Sequence, residues 1–171
     1  MKVMDLMTSD VKCCSADDSL DRAARLMWES DCGVVPVVGP DRELVGMITD
    51  RDICMAAYTK GRPLAMLAVR DAMAKELTFC SPEASLETAM SLMKDSRVRR
   101  LGVVDSRGML AGILSLNDLA IEARKQEKSG ARPTLSAALA DMLGTICEHR
   151  PPSAGAKPRP RRTEALVGAI A

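Results

Sequence analysis

The same pattern of apolar and polar residues occurs twice within the first 123 residues. Each time, a polar cluster precedes apolar residues that recur every three to four positions, which predicts an amphipathic helix. Two short apolar runs around a turn come next and predict a β-hairpin, and a second helix follows. In the first copy the predicted elements are a strand over 11–14, a helix over 17–30 with its N-cap at Ser19, strands over 33–39 and 43–48 with a turn at 40–42, and a helix over 50–58.

The two copies align without a gap when residues 3–57 are compared with residues 69–123. Of the 55 aligned positions 17 are identical, whereas chance matching at average composition would give roughly four. Residues 1–128 therefore contain two copies of one β-α-β-β-α unit, and the predicted domains are 1–62 and 63–128. Each unit leaves apolar faces that need covering. The expected fold is α/β (α+β), with the two repeats packed as a pseudo-twofold pair.

The residues after the second repeat divide into two parts. Residues 129–149 are predicted to hold a linker and an amphipathic helix. We hypothesise that this helix docks on the pair beside a cleft, with a dimer mate or a partner protein as the alternatives. Residues 150–171 form a basic, Pro-rich tail that is predicted to be disordered. The apolar stripe of the helix consists of Leu135, Leu139, Met142 and Ile146.

Composition and charge narrow the function classes. The chain has 47% apolar and 27% charged residues, and three aromatic residues against 12 Met, which predicts an aliphatic, adaptable core. The net charge of +1 does not indicate a nucleic-acid binder. Five of the 24 basic residues and one of the 23 acidic residues lie after residue 149. Because the tail has no aromatic residue to stack on bases, we expect it to be solvated, with contact to RNA or an acidic partner as the alternative.

Cysteine spacing and hydropathy indicate the cellular compartment in which the chain is expected. The six cysteines form no C-x-x-C pair and the one histidine is His149, so the spacings of zinc sites are absent. The first ten residues lack the apolar core of a signal peptide, and no apolar run reaches 18 residues. We therefore expect free thiols, no membrane span and a cytoplasmic location.

The clearest candidate chemistry is the stretch "MITDRDI" (47–53), which returns as "ILSLNDL" (113–119). On the structural interpretation, Thr49 and Asp52 form a capping box at a helix start. On the functional interpretation, the Asp52 carboxylate accepts hydrogen bonds from the vicinal hydroxyls of a ribose. The helix N-terminus and the Arg51 guanidinium would then favour a phosphate. The two interpretations are compatible, since a carboxylate has acceptor sites for both.

In order and in duplication, these segments resemble the CBS domain, named after cystathionine β-synthase. The matching stretches in the first copy are "VMDLMT", "SLDRAARLM", "VVPVV" and "LVGMITDRDI", and in the second copy "VRDAMA", "SLETAMSLM", "RRLGVVD" and "LAGILSLND". Two copies make a CBS pair, or Bateman module, and the resemblance covers residues 1 to about 125. It implies two symmetry-related clefts that bind adenosine nucleotides or related adenosyl ligands. The chain is similar to stand-alone CBS-pair proteins of bacteria, which regulate a partner protein.

The resemblance also implies which residues bind the ligand. The second copy departs from the family pattern, because Asn117 replaces the arginine of the motif and Gly102 stands where the family has the proline that Pro36 supplies. Two alternatives remain open at this stage: the cysteines could be small buried hydrophobic residues, and the arginines could form a solvated rim. The implied ligand-binding residues are Thr49, Arg51, Asp52, Cys14, Val35 and Pro36 from the first copy, and Ser115, Asp118, Cys80, Arg99, Arg100 and Leu101 from the second.

The sequence thus favours a regulatory ligand-sensing module over an enzyme. It shows no nucleophile–base pair, no metal cluster and no Gly-rich phosphate loop. The expected ligand is AMP, ADP, ATP or S-adenosylmethionine, and no obligatory cofactor is expected. A structural dimerisation adaptor with empty clefts is the rival interpretation. We also expect a homodimer, because Met27, Trp28, Met90 and Met93 lie on otherwise polar helices.

Overall fold

The structure is a computed structural model that describes residues 1–129 and 134–148. It confirms the predicted α/β class, with two repeats of short sheets and helices followed by one further helix. The predicted tail at 150–171 lies outside the described residues. The elements are α1 (Leu20–Glu29), β1 (Val34–Val38), β2 (Leu44–Thr49), α2 (Asp50–Lys60), β3 (Phe79–Cys80), α3 (Leu86–Ser96), β4 (Arg100–Val104), β5 (Leu110–Ser115), α4 (Leu116–Lys128) and α5 (Thr134–Cys147).

The first helix of each repeat begins at a serine. Ser19 accepts a hydrogen bond from the Arg22 amide at 3.2 Å, and Ser85 accepts one from the Thr88 amide at 3.1 Å. These bonds satisfy amides that have no carbonyl partner within the helix. The N-cap predicted at Ser19 is therefore present, and its counterpart in the second copy begins α3 in the same way.

The two sheets differ by one strand. Strands β1 and β2 form an antiparallel pair, whereas β3, β4 and β5 form a three-stranded sheet in which β3 runs parallel to β4. The strand predicted over 11–14 is wrong, because within it Cys14 alone forms a bridge, to Val37. The neighbouring Pro36 has no N–H to donate to an adjoining strand. In the second copy Gly102 takes the place of this proline, and β3 forms beside it.

Each repeat completes the core of the other. The amide of Val3 donates to the Ala84 carbonyl at 2.9 Å, and the Val3 side chain is fully buried in the core of the second repeat. Reciprocally, the amide of Val69 donates to the Asp18 carbonyl at 2.8 Å, and its side chain is fully buried in the core of the first repeat. The segment that leads into each repeat is thus exchanged, so the pair folds as one intertwined unit.

The two hairpins also meet each other. The Leu110 amide donates to the Arg42 carbonyl at 3.0 Å, and the Leu44 amide donates to the Gly108 carbonyl at 3.4 Å. These partners are equivalent positions in the two copies, so the contact has the reciprocity of a twofold axis. At Gly102 a Cβ atom would lie 2.4 Å from the Leu44 side chain. Glycine there lets the first hairpin cross the second sheet, and the predicted pseudo-twofold pair is confirmed.

Helix α5 packs on the second repeat, against α3 and α4. Leu139 and Met142 are 8% and 1% exposed and belong to the second core. An ion pair of 2.6 Å joins Lys94 of α3 to Asp141 of α5. Of the four apolar residues predicted to mark a dimer surface, Met27, Met90 and Met93 are instead buried and Trp28 is exposed. No helix of the described residues is both long enough and apolar enough to cross a membrane.

Candidate functional site

A cleft of about 830 Å³ lies where the two repeats and α5 meet. We call it the inter-repeat cleft, and its volume is in the range of small-molecule sites. Four segments provide most of its lining: residues 49–52 at the start of α2, 76–78 before β3, 97–100 at the start of β4, and 146–148 at the end of α5. Both repeats and the C-terminal helix therefore contribute to a single site.

The start of α2 holds a carboxylate in a fixed orientation on the cleft wall. Asp52 Oδ2 accepts hydrogen bonds from the Thr49 amide at 3.0 Å and the Thr49 hydroxyl at 2.6 Å. The Asp52 amide in turn donates to the Thr49 hydroxyl oxygen at 3.2 Å, which completes the capping box. Within the described residues, Oδ1 of Asp52 takes part in no hydrogen bond, so one carboxylate oxygen remains available to a ligand. The capping and binding roles are geometrically compatible.

Four arginines line the same cleft. Arg97 has a left-handed backbone (φ 51°), and its Nη2 lies 3.2 Å from Glu148 Oε2 at the end of α5. Within residues 1–129 and 134–148, Arg51, Arg99 and Arg100 make no ion pair. Arg100 is half-buried, and it reaches the space beside Gly33, where an added Cβ would lie 3.4 Å from its Nη2. A guanidinium without a carboxylate partner is available to bind a phosphate group.

The structure brings Arg99 and Arg100 together with the motif of the other copy. By sequence these arginines belong to the second repeat, yet they share the inter-repeat cleft with Thr49, Arg51 and Asp52 of the first. Five of the predicted ligand-binding residues therefore line one site.

The second capping box lies outside this cleft. Asp118 Oδ2 accepts hydrogen bonds from the Ser115 amide and from the Ser115 hydroxyl, both at 2.7 Å. The Thr8 amide donates to the Ile113 carbonyl at 2.9 Å, just as the Ala74 amide donates to the Met47 carbonyl at 2.9 Å. The box is thus built like its counterpart, but the first copy, which would provide the arginine to it by symmetry, has Gly33 at the position equivalent to Arg99.

The remaining predicted ligand residues lie behind the cleft. The side chains of Cys14 and Val35 are buried in the first core, and those of Cys80 and Leu101 in the second. Pro36 is also buried, and its carbonyl accepts a hydrogen bond from the Cys14 amide at 3.1 Å. The structure does not bring these five residues to the cleft surface.

Burial also explains the chemistry of the two thiols. Burial, with a smaller contribution from the Asp18 carboxylate, raises the pKa of Cys14 to about 11. Burial likewise raises the pKa of Cys80. Both thiols therefore stay protonated near neutral pH, which makes them poor nucleophiles. Their surroundings are those of small buried hydrophobic residues.

The sequence led to the hypothesis that helix α5 docks beside a cleft, but it did not identify the residues with which the end of the helix lines that cleft. Ile146, Cys147 and Glu148 line it, and Glu148 holds Arg97 there. The apolar stripe at Leu135 to Ile146 signalled that the helix packs on something, but a stripe does not reveal which surface covers it. The described residues contain no cluster of three or more His, Cys, Asp or Glu that could hold a metal ion.

Comparisons with known proteins agree with this architecture. Residues 3–58 and 69–124 each match the CBS domain family. The chain is 38% identical over 132 residues to CBS domain-containing protein YhcV of Bacillus subtilis, covering 77% of this chain and 92% of that protein.

Two solved structures show the same fold. The AcuB protein from Vibrio cholerae is 25% identical, with a TM-score of 0.70 over 76% of this chain and 96% of that one. CBSX2 in complex with AMP is 28% identical, with a TM-score of 0.64 over 74% of this chain and 98% of that one.

The fold and the cleft define a class of tandem-repeat proteins in which two exchanged α/β units enclose a site of small-molecule size. This chain belongs to the CBS domain family, and its two repeats form a CBS pair.

Proposed function

We propose that this protein is a regulatory module that binds an adenosine nucleotide in the inter-repeat cleft and signals its presence to a partner protein. One observation carries the proposal. Thr49, Arg51, Asp52, Arg99 and Arg100, which the family resemblance singles out from two distant stretches of the chain, line one cleft. The related CBSX2 structure with AMP supports this class of ligand.

The arrangement provides separate partners for the ribose and for the phosphate of a nucleotide. The open Oδ1 of Asp52 is the acceptor for ribose hydroxyls, while Oδ2 stays with the capping box. Arg99 and Arg100 are the partners for phosphate, and the positive end of the α2 dipole favours the same anion. Because the arginines favour an anion, the site suits AMP, ADP or ATP better than S-adenosylmethionine, whose sulfonium group is a cation.

The contact between Arg97 and Glu148 offers a path for output. Glu148 neutralises an arginine that lines the cleft, and it lies at the end of α5. A bound phosphate would compete with Glu148 for Arg97 and so loosen the last turn of α5. Nucleotide binding and release of the helix end are then coupled through one shared guanidinium.

Equilibrium binding of AMP, ADP, ATP and S-adenosylmethionine to the purified chain tests the binding site. We expect saturable nucleotide binding that weakens as ionic strength rises, because the phosphate contacts are exposed to screening. If none of the four ligands binds, the protein is better described as a structural adaptor, and the proposal fails.

Hydrogen exchange over residues 134–148, with and without the best ligand, tests the output. We expect the amides of the last turn of α5 to exchange faster when nucleotide is bound, while those near Leu139 stay protected. Unchanged protection along all of α5 would make the helix a structural brace and would contradict the coupling through Glu148.

A further inference from the structure

The groove between α1 and α2 is the counterpart of the groove that α5 fills in the second repeat. In the second repeat Met93, Leu119 and Ala123 are buried beneath α5. Their equivalents 66 residues earlier line a groove of about 580 Å³. We call it the α1–α2 groove, and its apolar floor consists of Met27, Ile53 and Ala57.

This groove is open in the described chain. Trp28 stands on its wall with 88% of its surface exposed, and Cys54 is also exposed. An exposed tryptophan beside an apolar floor is the usual anchor of an interaction surface. Since the equivalent surface accepts a helix in the same molecule, the shape of the α1–α2 groove suits an apolar segment of helical width.

The charge around the two grooves is opposite. In the second repeat the basic Lys94 and Arg97 pair with two acidic residues, Asp141 of α5 and Glu148 directly after it. At the same positions the first repeat has Trp28 and Asp31, and the adjoining Asp50 adds a second carboxylate to the groove. The α1–α2 groove therefore rejects an acidic helix such as α5 and complements a basic segment.

The sequence contains such a segment after residue 149. Asp50 lines both the α1–α2 groove and the inter-repeat cleft, and Glu148, which follows α5, lines the same cleft. Residues 150–162 include five basic side chains, and the apolar run "EALVGAIA" (164–171) follows them. The 15 residues between Glu148 and Glu164 could span about 50 Å if extended, which exceeds the roughly 16 Å length of α2.

We propose that the C-terminal segment occupies the α1–α2 groove of its own chain. Residues 164–171 would cover the apolar floor, and the basic stretch 150–162 would pass Asp50 and Asp31. Because the two are tethered, the groove would experience a high effective concentration of the segment. The proposal does not depend on which ligand binds the inter-repeat cleft.

Trp28 is the one tryptophan in the chain, so its fluorescence reports on the groove directly. The full chain and a chain ending at Glu148 are compared for emission wavelength and for quenching by acrylamide. We expect emission at shorter wavelength and weaker quenching in the full chain. Identical spectra and quenching in the two chains would overturn the proposal. Shielding of Trp28 that disappears on dilution, or that persists in the truncated chain, would also overturn it, because a second copy would then cover the groove.

A pair of neighbouring substitutions controls for changes elsewhere. Cys54→Glu places a charge in the groove and should give the full chain the emission of the truncated one. Met55→Glu, which alters an exposed residue of α2 outside the groove, should leave the spectrum of the full chain unchanged. If both variants behave alike, the groove is not where the segment binds.

Discussion

Asp52 and Asp118 form a matched pair of carboxylates at the residue scale. Each closes a capping box with the hydroxyl residue three positions earlier, through hydrogen bonds of similar length. They differ in surroundings, since Asp52 shares its cleft with unpaired arginines and Asp118 does not. A comparison of the two therefore separates the loss of a helix cap from the loss of a ligand contact.

We expect Asp52→Ala to weaken nucleotide binding by about 10- to 100-fold, corresponding to roughly 1.5–3 kcal/mol for one charged hydrogen-bond partner. Asp118→Ala should weaken it less. Both variants should lower the free energy of unfolding by a similar amount, about 0.5–2 kcal/mol, because both lose a cap. Isothermal titration and urea unfolding measure the two effects. Equal affinity in Asp52→Ala and the unmodified chain would remove Asp52 from the binding site.

The buried thiol of Cys14 predicts a pH dependence of stability. Its pKa is raised from 9.0 to about 11, so the folded state retains the proton more strongly than the unfolded chain does. This contribution to stability is complete below pH 9 and is lost as the pH rises toward 11. We expect Cys14→Ala to lose less of its free energy of unfolding over that interval than the unmodified chain. Cys32→Ala, which removes an exposed thiol, is the control and should follow the unmodified chain.

Local chemistry was predictable from the sequence, whereas the partners across the cleft were not. The S/T-x-x-D pattern encodes contacts within one helical turn, and the capping boxes at Thr49 and Ser115 form as it predicts. The meeting of Arg99 with Asp52 depends on how the two repeats cross. No local pattern carries that information, and the arginines were therefore assigned to their own copy.

At the scale of elements, the helices were easier to predict than the first strand. A serine cap and an apolar stripe suffice to define α1 and α3, since both signals are local. A strand requires a neighbour that can donate and accept hydrogen bonds. Pro36 removes a donor from that neighbour, and the strand expected over 11–14 is reduced to one bridge at Cys14.

Helix α5 yields a prediction about stability. Met142 is 1% exposed and lies in the second core, whereas Leu143 is 38% exposed. We expect Met142→Ala to lower the free energy of unfolding by about 2–5 kcal/mol, as truncation of a buried side chain does. Leu143→Ala should change it by about 0.5 kcal/mol or less. Urea unfolding of both variants provides the measurement, and equal effects would mean that α5 is not docked in solution.

At the scale of the whole molecule, the homodimer remains a prediction, but three of the four residues that suggested it are buried. It was inferred from four apolar residues on α1 and α3, but α5 covers the two on α3 and Met27 is buried. Trp28 on α1 remains exposed among the described residues, but it lies in the α1–α2 groove, so a dimer through Trp28 and occupation of that groove by the C-terminal segment exclude each other. Light scattering should show more than the 18.4 kDa of one chain if a dimer forms. A mass of one chain at micromolar concentration would contradict this prediction.

The exchange of leading segments predicts which fragment of the chain can fold by itself. The sequence predicts a domain boundary between residues 62 and 63, but the core of the first repeat includes Leu67 and Val69, which are 2% and 0% exposed. Burying two such side chains is worth about 3–6 kcal/mol in total. For a fragment of this size that amount decides whether it folds, because small domains are marginally stable.

We therefore compare two fragments of nearly equal length. Residues 1–62 follow the predicted domain but lack Leu67 and Val69, and they carry Val3 without the core that Val3 enters. Residues 12–74 follow the structure and contain the complete first core. We expect circular dichroism to show cooperative urea unfolding for 12–74 and a broad, non-cooperative loss of signal for 1–62. If 1–62 unfolds as cooperatively as 12–74, the exchanged segment contributes little to the fold, and each repeat is an independent unit as its sequence suggests.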